Sequence, residues 1–136
     1  MTDFNANVVE EFRANRGVVG GPFAGRSMLL LHTTGARSGE PRLSPLVYVT
    51  VDGRMLIIAS YAGAPSDPAW AHNLRAHPQA RIEAATPDGI VEREVLAREL
   101  PRDERDAVYP GVIAQAPNFA DYQSKTSRVI PIFELG

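Results

Sequence analysis

The stretch "SMLLLHTTGARSGEPRLSPLVYVTVDGRMLIIAS", residues 27–60, decides the fold. Three strands are predicted in it, at residues 27–33, 42–51 and 54–60. Asp52 and Gly53 join the second strand to the third, and an Asp-Gly pair favours a tight hairpin turn. Because the strands are apolar on both faces, both faces must be covered. We therefore expect a closed or nearly closed antiparallel barrel.

The sequence before this stretch predicts a helix and a glycine-rich lead-in, together residues 1–25. Phe4, Val8 and Phe12 recur every four residues within 3–16, which is the spacing of one helix face. We expect this face to dock on the barrel; contact with lipid is the alternative. Neither of the common glycine-rich nucleotide motifs occurs in the lead-in.

The sequence after the stretch predicts the elements that complete the barrel. They are a helix within 65–78, a hairpin over 80–99, helices over 102–116 and 118–126, and a strand over 128–135. We expect Asp67 to cap the first of these helices and Asn118 to cap the last. Pro131 lacks an N–H, so its strand should lie at a sheet edge or contain a bulge. The whole chain, 1–136, is therefore predicted as one domain of the α+β class.

Composition narrows the class of protein. The chain has 136 residues, of which 44% are hydrophobic, enough for one core. It contains no apolar run of about eighteen residues, which predicts no integral membrane segment. The first residues lack the apolar core of a signal peptide, and there is no cysteine for disulfides, thiolate chemistry or a cysteine metal site. We expect a cytoplasmic protein.

The distribution of charge is more informative than its sum. The formal net charge is −2, which argues against nucleic acid as a partner. Residues 12–51 nevertheless carry a local charge of +4, from five arginines against Glu40 alone. A cationic zone on an acidic protein indicates a small anionic ligand, with chance clustering of surface arginines as the alternative.

The loop within "HTTGARSGEPR", residues 32–42, concentrates that charge. Gly35 and Gly39 allow positive φ, so that successive N–H groups can form an anion-binding nest. Arg37 and Arg42 flank Gly39, and arginine binds phosphate or carboxylate with two parallel hydrogen bonds. The alternative is an ordinary solvated turn.

Alternation along the second strand extends this hypothesis. Period two places Arg42, Ser44, Leu46 and Tyr48 on one face. This face runs from a cation through a hydroxyl to an aromatic ring, which suits a cofactor with a charged tail and a flat head. Ordinary alternation at a barrel surface would give the same pattern.

A second candidate segment, residues 59–64, follows the third strand. Ala59, Ala62 and Gly63 are small, leaving room for a planar ring against the backbone. The N–H groups of 60–63 are candidate donors to ring carbonyls, and Trp70 either walls this pocket or belongs to the core. The three histidines match no metal-binding spacing and are predicted to be structural. Since no nucleophile motif occurs either, a bound cofactor should carry any reaction.

Three blocks in order, "LLLHTTGARSGEPRLSPLVYV", "IIASYAGAPSDPAWAHNLRAHP" and "YQSKTSRVIPIFEL", resemble the deazaflavin-dependent nitroreductase family. The likeness spans about residues 8–135. It implies a small antiparallel split β-barrel of about six strands with flanking helices. It also implies an oxidoreductase that uses coenzyme F420, a deazaflavin with a phosphate and an oligoglutamate tail. Related barrels often form homodimers, which makes a homodimer a prediction for this chain. Peripheral contact with the inner face of the membrane is the alternative to a purely cytoplasmic location.

The resemblance implies four groups of cofactor-binding residues. They are Arg37, Ser38 and Arg42 at the phosphate and tail, Ser44, Pro45, Leu46 and Tyr48 along the groove, Ala59, Ser60, Tyr61, Ala62 and Gly63 at the ring edge, and Trp70 and Asn73 completing the pocket. One departure concerns the tail: many members carry Arg-Lys where this chain has Ala36-Arg37. The missing cation should weaken tail binding.

The implied reaction is hydride transfer from reduced F420 to an electron-poor small molecule such as an enone, a quinone or a nitro compound. Backbone N–H groups from Ser60 onward would favour the anionic ring, and Tyr122 or a water would protonate the product. Ala116 and Phe119 replace tyrosines found in members that reduce nitroimidazoles, which argues against those substrates. The alternatives are an FMN-binding split barrel and a non-catalytic F420 carrier.

Overall fold

A computed structural model describes residues 3–21 and 26–136, with the side chains of 3–5 and 62 outside the description. Part of the glycine-rich lead-in, the side chain of Phe4 and the side chain of Ala62 therefore lie outside the described residues.

The fold combines four helices with six strands among the described residues. The helices are α1 (Asp3–Ala14), α2 (Ala69–Ala76), α3 (Arg102–Gln115) and α4 (Asn118–Ser124), and a 3-10 turn covers Tyr61–Gly63. The strands are β1 (Met28–Thr34), β2 (Pro41–Val51), β3 (Arg54–Ile58), β4 (Gln79–Thr86), β5 (Gly89–Glu99) and β6 (Ile132–Leu135). All neighbours pair antiparallel in the closed order β1-β2-β3-β6-β5-β4. The predicted α+β barrel is confirmed.

Both faces of the barrel are covered, as the apolar strands require. The interior cluster includes Leu29, Leu31, Ile57, Ile82 and Phe133, joined by Trp70 and Leu74 of α2. Outside, α3 and α4 cover β3 and β6, and α1 covers β1 and β2. Alternate residues of one strand therefore belong to the interior cluster and to an outer cluster. Because both sets are apolar, exposing either face to water would be unfavourable.

The face of α1 docks on the barrel, as expected. Phe12 is fully buried, and Val8 and Val9 pack with it against Met28 and Leu30 of β1. In the part of the chain that the structure describes, no helix has the length and apolar character needed to cross a bilayer.

The expected cap at Asp67 is wrong. Pro68 occupies the cap position of α2, with extended backbone and no side-chain cap hydrogen bond. The Asp67 carboxylate instead accepts hydrogen bonds from Arg75 at 2.8 Å and from Arg128 at 2.7 Å. Two charge-assisted bonds outweigh one bond to a helix N–H, so the carboxylate turns toward the arginines.

Two further local expectations are corrected. The Asn118 side chain accepts a hydrogen bond from Arg26 at 3.1 Å and does not cap α4. Pro131 lies at neither an edge nor a bulge: it precedes β6, which pairs with a strand on each side. Because Pro131 lies before the first residue of β6, its missing N–H removes no bond from the strand itself.

Candidate cofactor-binding site

The loop between β1 and β2 is folded tightly on itself. Gly35 donates its N–H to Glu40 O at 2.8 Å, and Gly39, at φ +69°, donates to Gly35 O at 3.0 Å. The Ser38 hydroxyl accepts the Glu40 N–H at 3.2 Å. The N–H groups of Arg37 and Ser38 donate to no residue that the structure describes. Successive unpaired amides are one of the features that an anion nest needs.

Asn73 of α2 fixes this loop in place. Its oxygen accepts the Ala36 N–H at 2.9 Å, and its amide donates to Thr33 Oγ1 at 3.2 Å. Asn73 is only 7% exposed. Since its oxygen and one of its amide N–H groups are engaged in this way, Asn73 holds the loop against α2 and the root of β1.

A groove of about 1160 Å³ separates the loop and the start of β2 from α2. The structure brings together in it six of the residues that the sequence selected, namely Arg37, Ser38, Arg42, Ser44, Trp70 and Asn73. Gly39 instead lines a second hollow, of about 590 Å³, on the β4–β5 side of the loop.

The two arginines of the groove are poorly engaged by the protein itself. Arg37 is exposed and forms neither an ion pair nor a hydrogen bond with the described residues. Arg42 is half exposed. Its contacts with Glu40 and Ser38 are both 3.4 Å long, and its Nη1 also donates to Pro41 O at 3.2 Å. Such long, exposed contacts contribute little. Both guanidinium groups are thus available to an anion in the groove.

The remaining residues predicted along β2 do not line this groove. Ser44 pairs with Leu31 and Leu46 pairs with Leu29, and both leucines belong to the interior cluster. The face of β2 that was predicted from alternation therefore points into the barrel. Leu46 and Tyr48 pack against the interior cluster, where Tyr48 donates its hydroxyl to Ala85 O at 2.8 Å. Pro45 pairs with Leu30 on the opposite, outer face.

Trp70 lies in the core, which is one of the two roles that the sequence left open. Its ring packs edge to face against Phe133, with centroids 5.7 Å apart, and only 7% of the residue is exposed. It nevertheless borders the groove. It is therefore a core residue that also closes one side of the candidate site.

The turn after β3 presents unpaired backbone donors. Gly63 and Ala64 donate to Ser60 O and Tyr61 O at 2.9 and 3.0 Å, which closes the 3-10 turn. The N–H groups of Ser60 and Tyr61 have no acceptor among the described residues. Tyr61 is 59% exposed and adopts φ +45°, which is rare for a residue with a side chain. Strain of this kind concentrates at functional sites.

Helix α4 packs directly against this turn. A Cβ added to Gly63 would lie 2.8 Å from Tyr122 O, so only glycine permits the approach. The half-buried Tyr122 ring lies edge to face on Phe119, and the Lys125 ammonium lies 5.8 Å from its centroid. Tyr122 and the turn lie outside the groove at Arg37. Ala59, which precedes the turn, and Trp70, which borders the groove, both belong to the interior cluster. The turn and the groove are therefore connected through the barrel core.

Arg128 was not predicted as a site residue. Its side chain contacts the same turn from the segment between α4 and β6. The available signal was a lone cation directly before the apolar closing strand "VIPIFEL". A cation there must find internal acceptors, but the sequence does not say which.

His32 belongs to an ion-pair cluster under α1. Its Nε2 lies 2.6 Å from Glu83 Oε2, and Arg81 contacts its Nδ1 at 3.3 Å. Hydrogen bonds from Arg13 to Glu83 hold the pKa of that carboxyl below its ordinary value, even though burial opposes the shift. Among the residues described, no group of three or more metal-binding side chains occurs. His32 thus has a structural environment.

Comparison with known proteins identifies close relatives. A family model described as F420H(2)-dependent quinone reductase matches residues 5–135. A relative named an F420H(2)-dependent quinone reductase in Mycobacterium tuberculosis is 35% identical over 128 residues, covering 91% of this chain and 83% of its own. A second M. tuberculosis protein, named a putative quinone reductase of the same type, is 32% identical over 107 residues, or 79% and 87% of the two chains.

Solved structures agree with these relatives. A structure of an F420-H2 dependent reductase is 34% identical with a TM-score of 0.69, and the match covers 86% of this chain and all of that one. A structure described as a domain-swapped dimer is 35% identical with a TM-score of 0.67, covering 80% and 79%. A haem storage protein from Vibrio cholerae, 18% identical with a TM-score of 0.61, shares the fold alone.

The family match covers nearly the whole chain, including both the arginine-bearing loop and the turn after β3. This confirms the resemblance found in the sequence, the enzyme class and the cofactor. The chain belongs to the F420H(2)-dependent quinone reductase family, a family of reductases that use coenzyme F420.

Proposed function

We propose that this protein transfers a hydride from reduced coenzyme F420 to a quinone, with enones and simple nitro compounds as further acceptors. The observation that carries the proposal is Arg37, an exposed guanidinium at the groove that no described residue neutralises. A phosphate with a carboxylate tail is the kind of anion that such a group binds. Nitroimidazoles are poor candidates, because Ala116 and Phe119 are buried and offer no hydroxyl.

Two sets of unpaired donors among the described residues support this proposal. Arg37, Arg42 and the free amide of Ser38 would hold the phosphate and the tail in the groove. The free N–H groups of Ser60 and Tyr61 would hold the ring edge. The resemblance also assigns Ser44, Gly63 and Trp70 to the site. Ala59, which it assigns as well, is fully buried in the interior cluster, and both its backbone groups are engaged.

When bound in its reduced form, F420 supplies the hydride. The chain supplies placement, because fixing donor and acceptor together removes about 7–11 kcal/mol of the barrier in well-oriented reactions. The amides of Ser60 and Tyr61 would stabilise negative charge at the ring edge, since preorganised donors act where charge develops. Tyr122, which lies in the helix packed against this turn, or a water would protonate the product.

The tail-binding residues are tested by titration with F420. Losing one charge-assisted contact costs about 1.5–3 kcal/mol, so Arg37→Ala and Arg42→Ala should each weaken F420 binding roughly ten- to a hundredfold. Arg102→Ala is the matched control, because Arg102 is an exposed arginine paired only with Asp106 on α3. Unchanged dissociation constants in both loop variants would contradict the proposal. Tighter binding of FMN than of F420 in a parallel titration would also contradict the proposal.

The acceptor class is tested by following reoxidation of reduced F420. Menadione, an enone and a simple nitroarene should each accelerate reoxidation, with menadione the fastest. A carrier protein would bind F420 but would not accelerate its reoxidation by any of these acceptors.

The predicted homodimer is also part of the proposal, and the similarity to a chain described as a domain-swapped dimer supports it. Light scattering during gel filtration should give twice the mass of the 14.8 kDa chain.

Cytoplasmic location and peripheral membrane contact stay predictions. Flotation with anionic vesicles and fractionation of the host cell test them.

A further inference from the structure

We propose that Arg128 is a positioning residue for hydride transfer: it holds the turn after β3 so that the N–H groups of Ser60 and Tyr61 face the cofactor ring. The proposal rests on the proposed function, because it concerns the same ring-binding turn. Arg128 reaches the turn from the segment between α4 and β6. Neither the family match nor the sequence analysis assigns it a role.

One guanidinium group satisfies four acceptors around this turn. Arg128 donates from Nη1 to Ala59 O at 3.1 Å, from Nη2 to Ser60 O at 2.8 Å and from Nε to Ala64 O at 2.9 Å. Nη1 also bonds Asp67 Oδ1 at 2.7 Å. The Arg128 side chain is only 16% exposed. The rigid planar fork of arginine makes such convergent binding possible, and lysine cannot reproduce it.

The direction of these bonds determines where the free amides lie. A trans peptide is planar, with its C=O and the following N–H on opposite sides, and no described peptide is cis. Since Ala59 O faces Arg128, the Ser60 N–H must face away from it. The same holds for Ser60 O and the Tyr61 N–H. Arg128 therefore sets the orientation of both unpaired donors without touching a ligand.

The turn needs such an anchor because its backbone is strained. Tyr61 has a positive φ of +45°, in a region that residues with a side chain rarely adopt. Conformations of this kind persist only where the surroundings over-determine them. Three carbonyl oxygens drawn to one cation supply that constraint on the inner side of the turn.

Arg128 is itself fixed from two directions. Asp67, its carboxylate partner, is bound on its other oxygen by Arg75, which in turn bonds Glu99 at 2.8 Å. The Arg128 carbonyl accepts the Gln123 side chain at 2.7 Å, which ties it to α4 beside Tyr122. The residue therefore couples the ring-binding turn to the helix that carries the candidate proton donor.

The first test needs no cofactor. In Arg128→Gln, hydrogen exchange at the Gly63 and Ala64 amides, which close the turn, should accelerate at least about tenfold in the ligand-free protein. Arg54→Gln is the matched control, since this partly buried arginine at the far end of β3 bonds Glu134 and Glu104 only. Arg128→Lys keeps the charge without the fork and should give an intermediate rate.

The second test separates placement from affinity. Arg128→Gln should lower kcat about a hundredfold, the effect of a displacement of about 1 Å. Its F420 dissociation constant should change little, because the tail contacts at Arg37 and Arg42 are intact. Variants of those two arginines should instead raise the F420 dissociation constant. If that titration fails, the exchange result still decides on Arg128.

Exchange at Gly63 and Ala64 that matches the Arg54→Gln control, together with an unchanged kcat, would overturn the proposal. Should Arg128→Gln fail to fold, Arg128→Lys decides. Wild-type exchange at the turn in that variant overturns the role, and faster exchange at the turn alone supports it.

Discussion

Asn73 accepts the backbone N–H of Ala36 at 2.9 Å, and this bond joins helix α2 to the loop that carries the exposed Arg37. A helix residue thereby sets the position of the cationic loop. The same amide donates to the buried hydroxyl of Thr33, so the loop is tied to the barrel at its root.

Asn73→Ala should therefore weaken both folding and cofactor binding. It leaves the Thr33 hydroxyl buried without a partner, which costs about 1–3 kcal/mol of unfolding free energy. Denaturant titration measures this loss, and F420 titration should show weaker binding because the cationic loop loses its anchor on α2. Wild-type affinity in Asn73→Ala would contradict the anchoring role.

Gly63→Ala tests the close approach between the turn and α4. The added methyl would lie 2.8 Å from Tyr122 O and 2.9 Å from Lys125 Cβ, at φ +82°. Gly53→Ala is the control, because Gly53 has a similar φ of +76° with nothing within 4 Å of the added atom. We expect Gly53→Ala to lower the unfolding free energy by about 1 kcal/mol and Gly63→Ala by about 3 kcal/mol or more. Equal losses in denaturant titrations would show that the packing of α4 on the turn is not tight.

Acid should weaken the attachment of α1 through Glu83. Hydrogen bonds from Arg13 hold the pKa of Glu83 below its ordinary value of 4.5. A carboxyl whose pKa is lowered by folding stabilises the protein above that ordinary value. This contribution is lost as the pH falls through the lowered, folded-state pKa. The stability difference between wild type and Glu83→Gln should thus be full near about pH 7 and shrink toward about pH 3.

Thermal unfolding at a series of pH values measures this difference. Glu94→Gln serves as the control, because the Glu94 side chain makes no hydrogen bond or ion pair with the described residues. A difference between wild type and Glu83→Gln that stays constant with pH would rule out the titration of Glu83 as its source.

The strands and hairpins could be predicted because their signals are local. Asp52 and Gly53 do adopt positive φ, +53° and +76°, as the Asp-Gly hairpin turn requires. Alternation along β2 likewise predicted that Arg42, Ser44, Leu46 and Tyr48 share a face. Alternation does not say which face becomes the interior when a sheet closes. Leu46 and Tyr48 therefore lie in the core, while Arg42 at the strand's open end reaches the groove.

Hydrogen bonds and ion pairs between residues far apart in the chain could not be predicted from the sequence. Asp67 has the residue type and position of a helix cap, yet its partner Arg128 is 61 residues away. Arg128 itself had no visible role until the turn after β3 was placed beside it. Local propensity competes with such long-range charged contacts, and in a folded interior the charged contact is the stronger interaction.

Tyr122→Phe distinguishes the two candidate proton donors. The ring packing on Phe119 survives the change, and the Tyr122 hydroxyl bonds no residue in the described part of the chain, so stability should be unchanged. If the phenol protonates the product, kcat should fall roughly a hundredfold or more, the usual contribution of a positioned acid. Tyr109→Phe, which removes a hydroxyl bonded to Phe119 O on the neighbouring helix, is the control. Stopped-flow reoxidation of reduced F420 by menadione measures both variants, and an unchanged kcat in Tyr122→Phe would assign the proton to water.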